Sequence, residues 1–176
     1  MEQILIPHKR AKELAGILHD VSKSLGCKIE LKEENLVLIN GPGYEEYNAK
    51  NVIQAFGRVF EMKVAEKLLL EDYFSKYVYL KDLFRNEAQI RRIKARVIGR
   101  NGRTKEYMQE VSGASISIYG NTIGVIGTVE QIDIAVTALN VLLKGGTHKK
   151  AYRIMERKRR NFSKGDREIP RHSRME

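Results

Sequence analysis

Ile93-Lys94-Ala95-Arg96-Val97-Ile98-Gly99-Arg100-Asn101-Gly102-Arg103-Thr104-Lys105 sets two glycines three residues apart among five cations, with no carboxylate between them. A glycine pair alone means little, because glycine serves any tight turn that needs positive φ. Context makes it informative. The pair is expected between two short helices, with a basic strand ahead of them. Downstream, Gly113 suits the left-handed end of a helix, and Ala114-Ser115-Ile116-Ser117-Ile118 alternates with the period of a half-buried strand. Gly120-Asn121 supplies a two-residue hairpin turn. Thr128-Val129-Glu130-Gln131 then has capping-box spacing, and Ile132, Ala135, Val136, Leu139 and Leu142/Leu143 trace one face of a helix that Gly145-Gly146 ends.

The same pattern occurs earlier in the chain. Residues 26–39 and 113–126 superpose without a gap at a shift of 87: Gly26 meets Gly113, Ile29 meets Ile116, Leu31 meets Ile118, Leu36 meets Ile123 and Leu38 meets Val125. In the first copy the hairpin turns through Glu33-Glu34-Asn35. Gly41-Pro42-Gly43 breaks the chain, and helical stretches run from about Tyr44 to Phe60 and from Met62 to Leu70. Each copy reads as strand, two short helices, hairpin, long helix. This β-α-α-β-β-α order predicts an α+β unit, a three-stranded sheet covered by helices. Two such units are expected, residues 1–80 and 81–150. Residues 151–176 form a basic tail, expected to be mobile beyond a short helix through Met155.

Charge is unevenly placed. The formal net charge is +10, yet residues 1–84 sum to −1 and residues 106–143 to −4. The positive charge lies in residues 85–105 (+7) and 144–176 (+8), two blocks suited to a polyanion; a solvated face or a solubility tail is the competing reading of either block alone. The single Cys27 offers no disulfide and no second thiol, which fits a reducing cytoplasm. With no signal-like start and no membrane-length apolar run, the chain is read as cytoplasmic, with no membrane partner.

The loop at 99–102, with its neighbouring helices and hairpin, resembles the KH module, whose Gly-x-x-Gly loop clamps about four nucleotides of backbone. Gly99 and Gly102 carry no side chains to hold phosphates away, and amides at the following helix start would face them. Arg100, Asn101, Arg103, Lys105 and Lys94 would add charge or polar contacts, while Ile98 and the strand bearing Ser115 and Ser117 would line a groove for unpaired bases. An RRM is disfavoured, since the hairpin offers only Tyr119 for stacking. At the repeat shift Gly99 falls on Lys12 and Gly102 on Ala15, so the first copy has no clamp; Lys9, Arg10 and Lys12 remain as possible RNA contacts there. No Walker-type lysine, metal-ligand cluster or catalytic carboxylate pair stands out, so neither an enzyme nor a cofactor is expected.

Asp82-Leu83, the loop segment, Ser112-Gly113-Ala114-Ser115-Ile116-Ser117-Ile118-Tyr119-Gly120, Ala55-Phe56-Gly57-Arg58-Val59-Phe60 and Ala151-Tyr152-Arg153-Ile154-Met155-Glu156-Arg157-Lys158 together resemble the archaeal partner-of-Nob-one family, called Dim-two in fungi. The resemblance implies two tandem type I KH units, the first degenerate. It also implies single-stranded RNA binding at the 3′ region of small-subunit ribosomal RNA during ribosome assembly and rRNA processing. Partners it suggests are the Nob-type endonuclease or an initiation factor. The alternative functions are a protein adaptor working through the first unit and a general regulator of messenger RNA.

Overall fold

The computed structural model describes residues 1–168. The first unit begins with β1 (Glu2–Leu5), α1 (His8–Leu25), β2 (Lys28–Leu31), β3 (Leu36–Asn40) and α2 (Gly43–Gly57). β3 lies between β1 and β2, antiparallel to both, and Ile29 stands opposite Ile39. Leu14, Val37, Ile39, Val52 and Ile53 fill the core between the sheet and the helices.

α1 is one uninterrupted helix, which corrects the expectation of two short ones in this copy. Ala11, Leu14, Val21 and Leu25 are its buried positions, spaced as one helical face. Gly16 is the only glycine along it, and a single interior glycine costs about 1 kcal/mol relative to alanine without breaking a packed helix. At its end Gly26 adopts φ +62°, and the amides of Gly26 and Cys27 return to the carbonyls of Lys23 and Ser22.

After α2 come α3 (Met62–Ala65) and a 3-10 turn (Glu66–Leu69), near the expected second helical stretch. The second unit then contains β4 (Phe74–Tyr79), α4 (Leu80–Leu83), α5 (Glu87–Ile98), α6 (Arg103–Ser112), β5 (Ser115–Tyr119), β6 (Thr122–Gly127) and α7 (Val129–Leu143). Its sheet order is β4-β6-β5, all antiparallel, repeating the order of the first. β4 pairs with β6 from Phe74 opposite Gly127 to Tyr79 opposite Thr122, so the boundary expected at 80/81 falls ahead of Phe74. The basic residues before the loop stand on α5 and not on a strand, and α5 starts under an Asn86 cap. The capping box at Thr128 and Gln131 forms as expected.

One face of the second sheet, bearing Ile116, Ile123 and Val125, packs under the helices with Ile90, Val97, Met108 and Leu139. The other face meets the first unit. Ile126 joins the first unit's core, and a Cβ on Gly124 would stand 2.8 Å from the Phe60 ring. Ser117 donates a 2.7 Å hydrogen bond to the Arg58 carbonyl. Tyr77, directly across from Gly124, is half-buried at the same joint, and desolvation raises the pKa of its phenol.

The tail holds the largest departure. His148–Glu168 forms a 21-residue helix, α8, where only a short helix through Met155 was expected. Ala151 and Met155 are fully buried in the second unit's core, so α8 is a structural part of that unit. Pro170 and the rest of the tail to residue 176 lie outside the described residues. Replacing Met155 with alanine is expected to destabilise the protein by about 2–5 kcal/mol, read from urea denaturation, because it empties a closed site between α7 and α8.

Candidate nucleic-acid interface

α5 ends at Ile98, and the chain reverses through three residues with positive φ. Gly99 has φ 75° and ψ 174°, Asn101 φ 53° and ψ 30°, and Gly102 φ 79° and ψ 0°. The two glycines are needed for different reasons. A Cβ on Gly99 would sit 2.1 Å from Thr104 Oγ1 and 2.8 Å from the Thr104 amide nitrogen, whereas one on Gly102 would meet nothing within 4 Å. Gly99 is demanded by close approach as well as by φ; Gly102 by φ alone.

α6 starts directly from Gly102, with no side chain capping its first amides. A helix leaves its first backbone N–H groups unpaired and carries partial positive charge at that end, so the start of α6 is built to receive an anion. Arg100, Asn101 and Arg103 are exposed around it, Lys105 is half-buried, and the Ile98 side chain is 37% exposed just before the turn. Among the described residues no carboxylate forms a salt bridge with Arg91, Arg92, Arg100, Arg103 or Lys105.

Other expected contacts are placed differently. Lys94 donates a 2.7 Å hydrogen bond to the Gly120 carbonyl, spanning from α5 to the hairpin turn. Ser117 is buried with its hydroxyl on Arg58, and Ser115, paired with Ile126, lies on the same face of the strand. Both serines therefore face the joint between units and, contrary to the sequence expectation, do not line the groove. Arg10 is likewise engaged elsewhere: its guanidinium donates to the carbonyls of Phe56 and Phe60 at 2.9 and 2.6 Å and covers the Phe56 ring. It fastens the end of α2 and is not available to RNA. What β5 does offer is an open edge, since it is an outer strand of its sheet. Gln109 Oε1 accepts the Ile116 amide on that edge at 2.7 Å.

A set of residues that the loop pattern does not reveal holds the loop's two flanks. The Tyr152 hydroxyl donates to Thr104 Oγ1 at 3.1 Å, bracing the side chain that crowds Gly99. Its ring packs on Tyr107 at 4.5 Å between centroids, and Tyr107 donates to Glu156, a hydrogen bond that raises the Tyr107 pKa. On the other flank His148 Nε2 bonds the Arg96 carbonyl at 2.9 Å, and the Arg96 guanidinium donates to the Gly146 carbonyl. α8 thus grips the end of α5 and the start of α6 together. Among the described residues no three His, Cys, Asp or Glu side chains could share a metal ion, and no helix is long and apolar enough to cross a membrane.

A profile for the second domain of PNO1-type proteins, a eukaryotic-type KH domain (type I), matches residues 75–160. The KH domain-containing protein MJ0443 of Methanocaldococcus jannaschii is 32% identical over 173 residues, an alignment covering 93% of this chain and 76% of that protein. The fold is also that of solved structures. Dim2p from Pyrococcus horikoshii is 32% identical with a TM-score of 0.80, covering 89% of this chain and 98% of that one. The same species' aDim2p, solved in complex with a/eIF2alpha and rRNA, is 32% identical with a TM-score of 0.82, covering 91% and 94%. A protein of unknown function from Aeropyrum pernix, 24% identical and covered to 94% on both sides, shares the fold with a TM-score of 0.86. The β-α-α-β-β-α second unit, its Gly-x-x-Gly turn and these likenesses place the chain in the archaeal Dim2/PNO1-like family of RNA-binding KH-domain proteins.

Proposed function

We propose that this protein binds single-stranded RNA at the loop Gly99–Gly102 without catalysing a reaction, and that its target is the 3′ region of small-subunit ribosomal RNA during ribosome assembly in the cytoplasm. The observation that carries the reading is the uncapped start of α6 behind two positive-φ glycines, ringed by Arg100, Asn101 and Arg103. Backbone phosphates would rest on the α6 amides, with Arg100, Arg103 and Lys105 neutralising them. The bases would lie toward Ile98 and the open β5 edge, where the alternation of an antiparallel strand turns the backbone groups of Ile118 outward like those of Ile116. Lys94 would close that groove at the hairpin turn. The ribosomal target is supported by the likeness to an aDim2p solved with rRNA.

A second role, as an adaptor, is favoured by a different observation. Tyr44, Tyr47, Leu70, Phe74 and Val129 are all exposed, and Phe74 borders the clefts shared by the others. The related aDim2p was solved with a/eIF2alpha, which suggests an initiation factor as occupant; a Nob-type endonuclease is the other candidate. Captured protein partners are expected to survive nuclease treatment and to be lost from a Tyr47→Ala/Phe74→Ala variant; partners that vanish with nuclease would end the adaptor reading.

Binding of a short RNA matching the small-subunit 3′ end, followed by fluorescence anisotropy, tests the main reading. An Arg100→Asp/Asn101→Asp variant with an unchanged melting temperature is expected to lose specific binding. For about four phosphate contacts the salt slope should be near −3, so a fourfold rise in salt should weaken wild-type binding about 50-fold. Wild-type affinity in the variant would overturn the site. The glycines should also separate: Gly99→Ala is expected to abolish binding by displacing Thr104, while Gly102→Ala, strained by φ alone at about 1 kcal/mol, should retain a weakened affinity.

A further inference from the structure

α8 does more than brace the loop. Lys149, Arg153, Arg157 and Arg160 recur at four-, four- and three-residue spacing and are all exposed, so they form one cationic ridge along the helix. The ridge spans about 17 Å at the helical rise. Its neighbours on other faces are differently engaged. Ala151 and Met155 are buried, Tyr152 holds Thr104 and Lys158 pairs with Asp133 at 2.7 Å, while Glu156, the carboxylate that lies alongside the ridge, is turned to accept from Tyr107. Among the described residues no carboxylate forms a salt bridge with any of the four ridge residues.

Position separates this ridge from a merely solubilising tail. Tyr152 touches the first turn of α6, and the pocket shared by Glu110, Val111, Arg159 and Phe162 sets the later turns of both helices side by side. α8 therefore starts beside the loop and runs away from it alongside α6. Lys149 and Arg153 flank Tyr152 on the sequence, so the cationic ridge begins within one turn of the brace. Glu106 and Glu110 are exposed on α6 itself and would repel a polyanion, so on the α6 side of the loop the cationic route is α8. A free chain end would neither fix that direction nor keep four cations in line.

We propose that the ridge Lys149–Arg153–Arg157–Arg160 is a second phosphate-binding track, holding the RNA backbone beyond the nucleotides clamped at Gly99–Gly102. The inference rests on the RNA reading of the loop and adds a site with its own length dependence. It makes the protein bind a longer single strand than one KH loop can hold, with recognition at the loop and sequence-independent affinity along α8.

The test compares an RNA of about four nucleotides, enough for the loop, with one roughly three times as long carrying the same core. The ridge variant is Arg153→Gln/Arg157→Gln/Arg160→Gln; the control, removing equal charge elsewhere, is Lys23→Gln/Lys63→Gln/Lys81→Gln. Both must melt like wild type. The ridge variant is expected to bind the short RNA normally and the long RNA about tenfold more weakly, with the salt slope for the long RNA reduced by about 2. An unchanged long-RNA affinity, an equal loss in the control, or an equal loss for the short RNA would each overturn the track. If long-RNA binding is unchanged while binding of polyglutamate is lost, the ridge belongs to an acidic protein surface. The underlying reading fails separately, by a loop variant that still binds the short RNA.

Discussion

The contact between the Phe60 ring and the backbone of Gly124 governs how the two units work together. A sheet covered by helices on one side has a second face to dispose of, and here Phe60 presses on it where no Cβ stands in the way. Ile126 joins the first unit's core from that face, and Ser117 gives its hydroxyl to Arg58. To bring Phe60 there the chain turns sharply after α2, holding Val59 at φ 67°, a conformation unfavourable for a β-branched residue. Arg10 secures the turn through the carbonyls of Phe56 and Phe60. Strain of this kind persists only where surrounding contacts outweigh it, and here they belong to the joint. With that sheet face closed, the open surfaces of the second unit are the helical side and the β5 edge, which is where the loop lies.

The loop's shape is over-determined from behind. Positive φ at three of four successive residues is costly to hold, and phosphate binding gains most when the amides are already aimed. Thr104 fills the space a side chain at position 99 would need, and Tyr152 holds Thr104. His148 and Gly146 secure the preceding helix through Arg96. Because both flanks are tied to one helix whose own anchors are Ala151 and Met155, loop geometry and core packing are coupled. The C-terminal helix is thus a structural support of the loop although it contributes no residue to the Gly-x-x-Gly turn.

The parts legible in the sequence were those written in local, periodic terms. The gap-free match of residues 26–39 to 113–126 corresponds to two sheets of identical strand order, and Gly26 and Gly113 both close helices in the left-handed conformation. The capping box and the 99–102 turn are also local. What resisted was orientation and long-range partnership. Alternation in β5 separates serines from isoleucines but does not say that the serine face is covered, because that depends on Phe60, some sixty residues away. α8 reads in sequence as a charged tail because its apolar anchors are few. Ala151, Tyr152 and Met155 occupy only one narrow face, and the resemblance over residues 151–158 was the better signal. In the first copy the repeat pattern suggests a break that the residues do not supply: without a glycine pair, the stretch runs on as one helix.

That difference between copies explains how a duplication divides its labour. The positive-φ turn in the second unit interrupts a helix, exposes amides and requires an outside brace to hold it. In the first unit the equivalent stretch runs on as α1, gaining continuous helical hydrogen bonds and a full buried face. A cation near the start of that helix, Arg10, is free to fasten the joint instead of a phosphate. Without a clamp, the first unit still has a structural role. It is the partner that occupies the spare sheet face of the second and so leaves the helical side and the β5 edge as the surfaces open to RNA in the proposed reading.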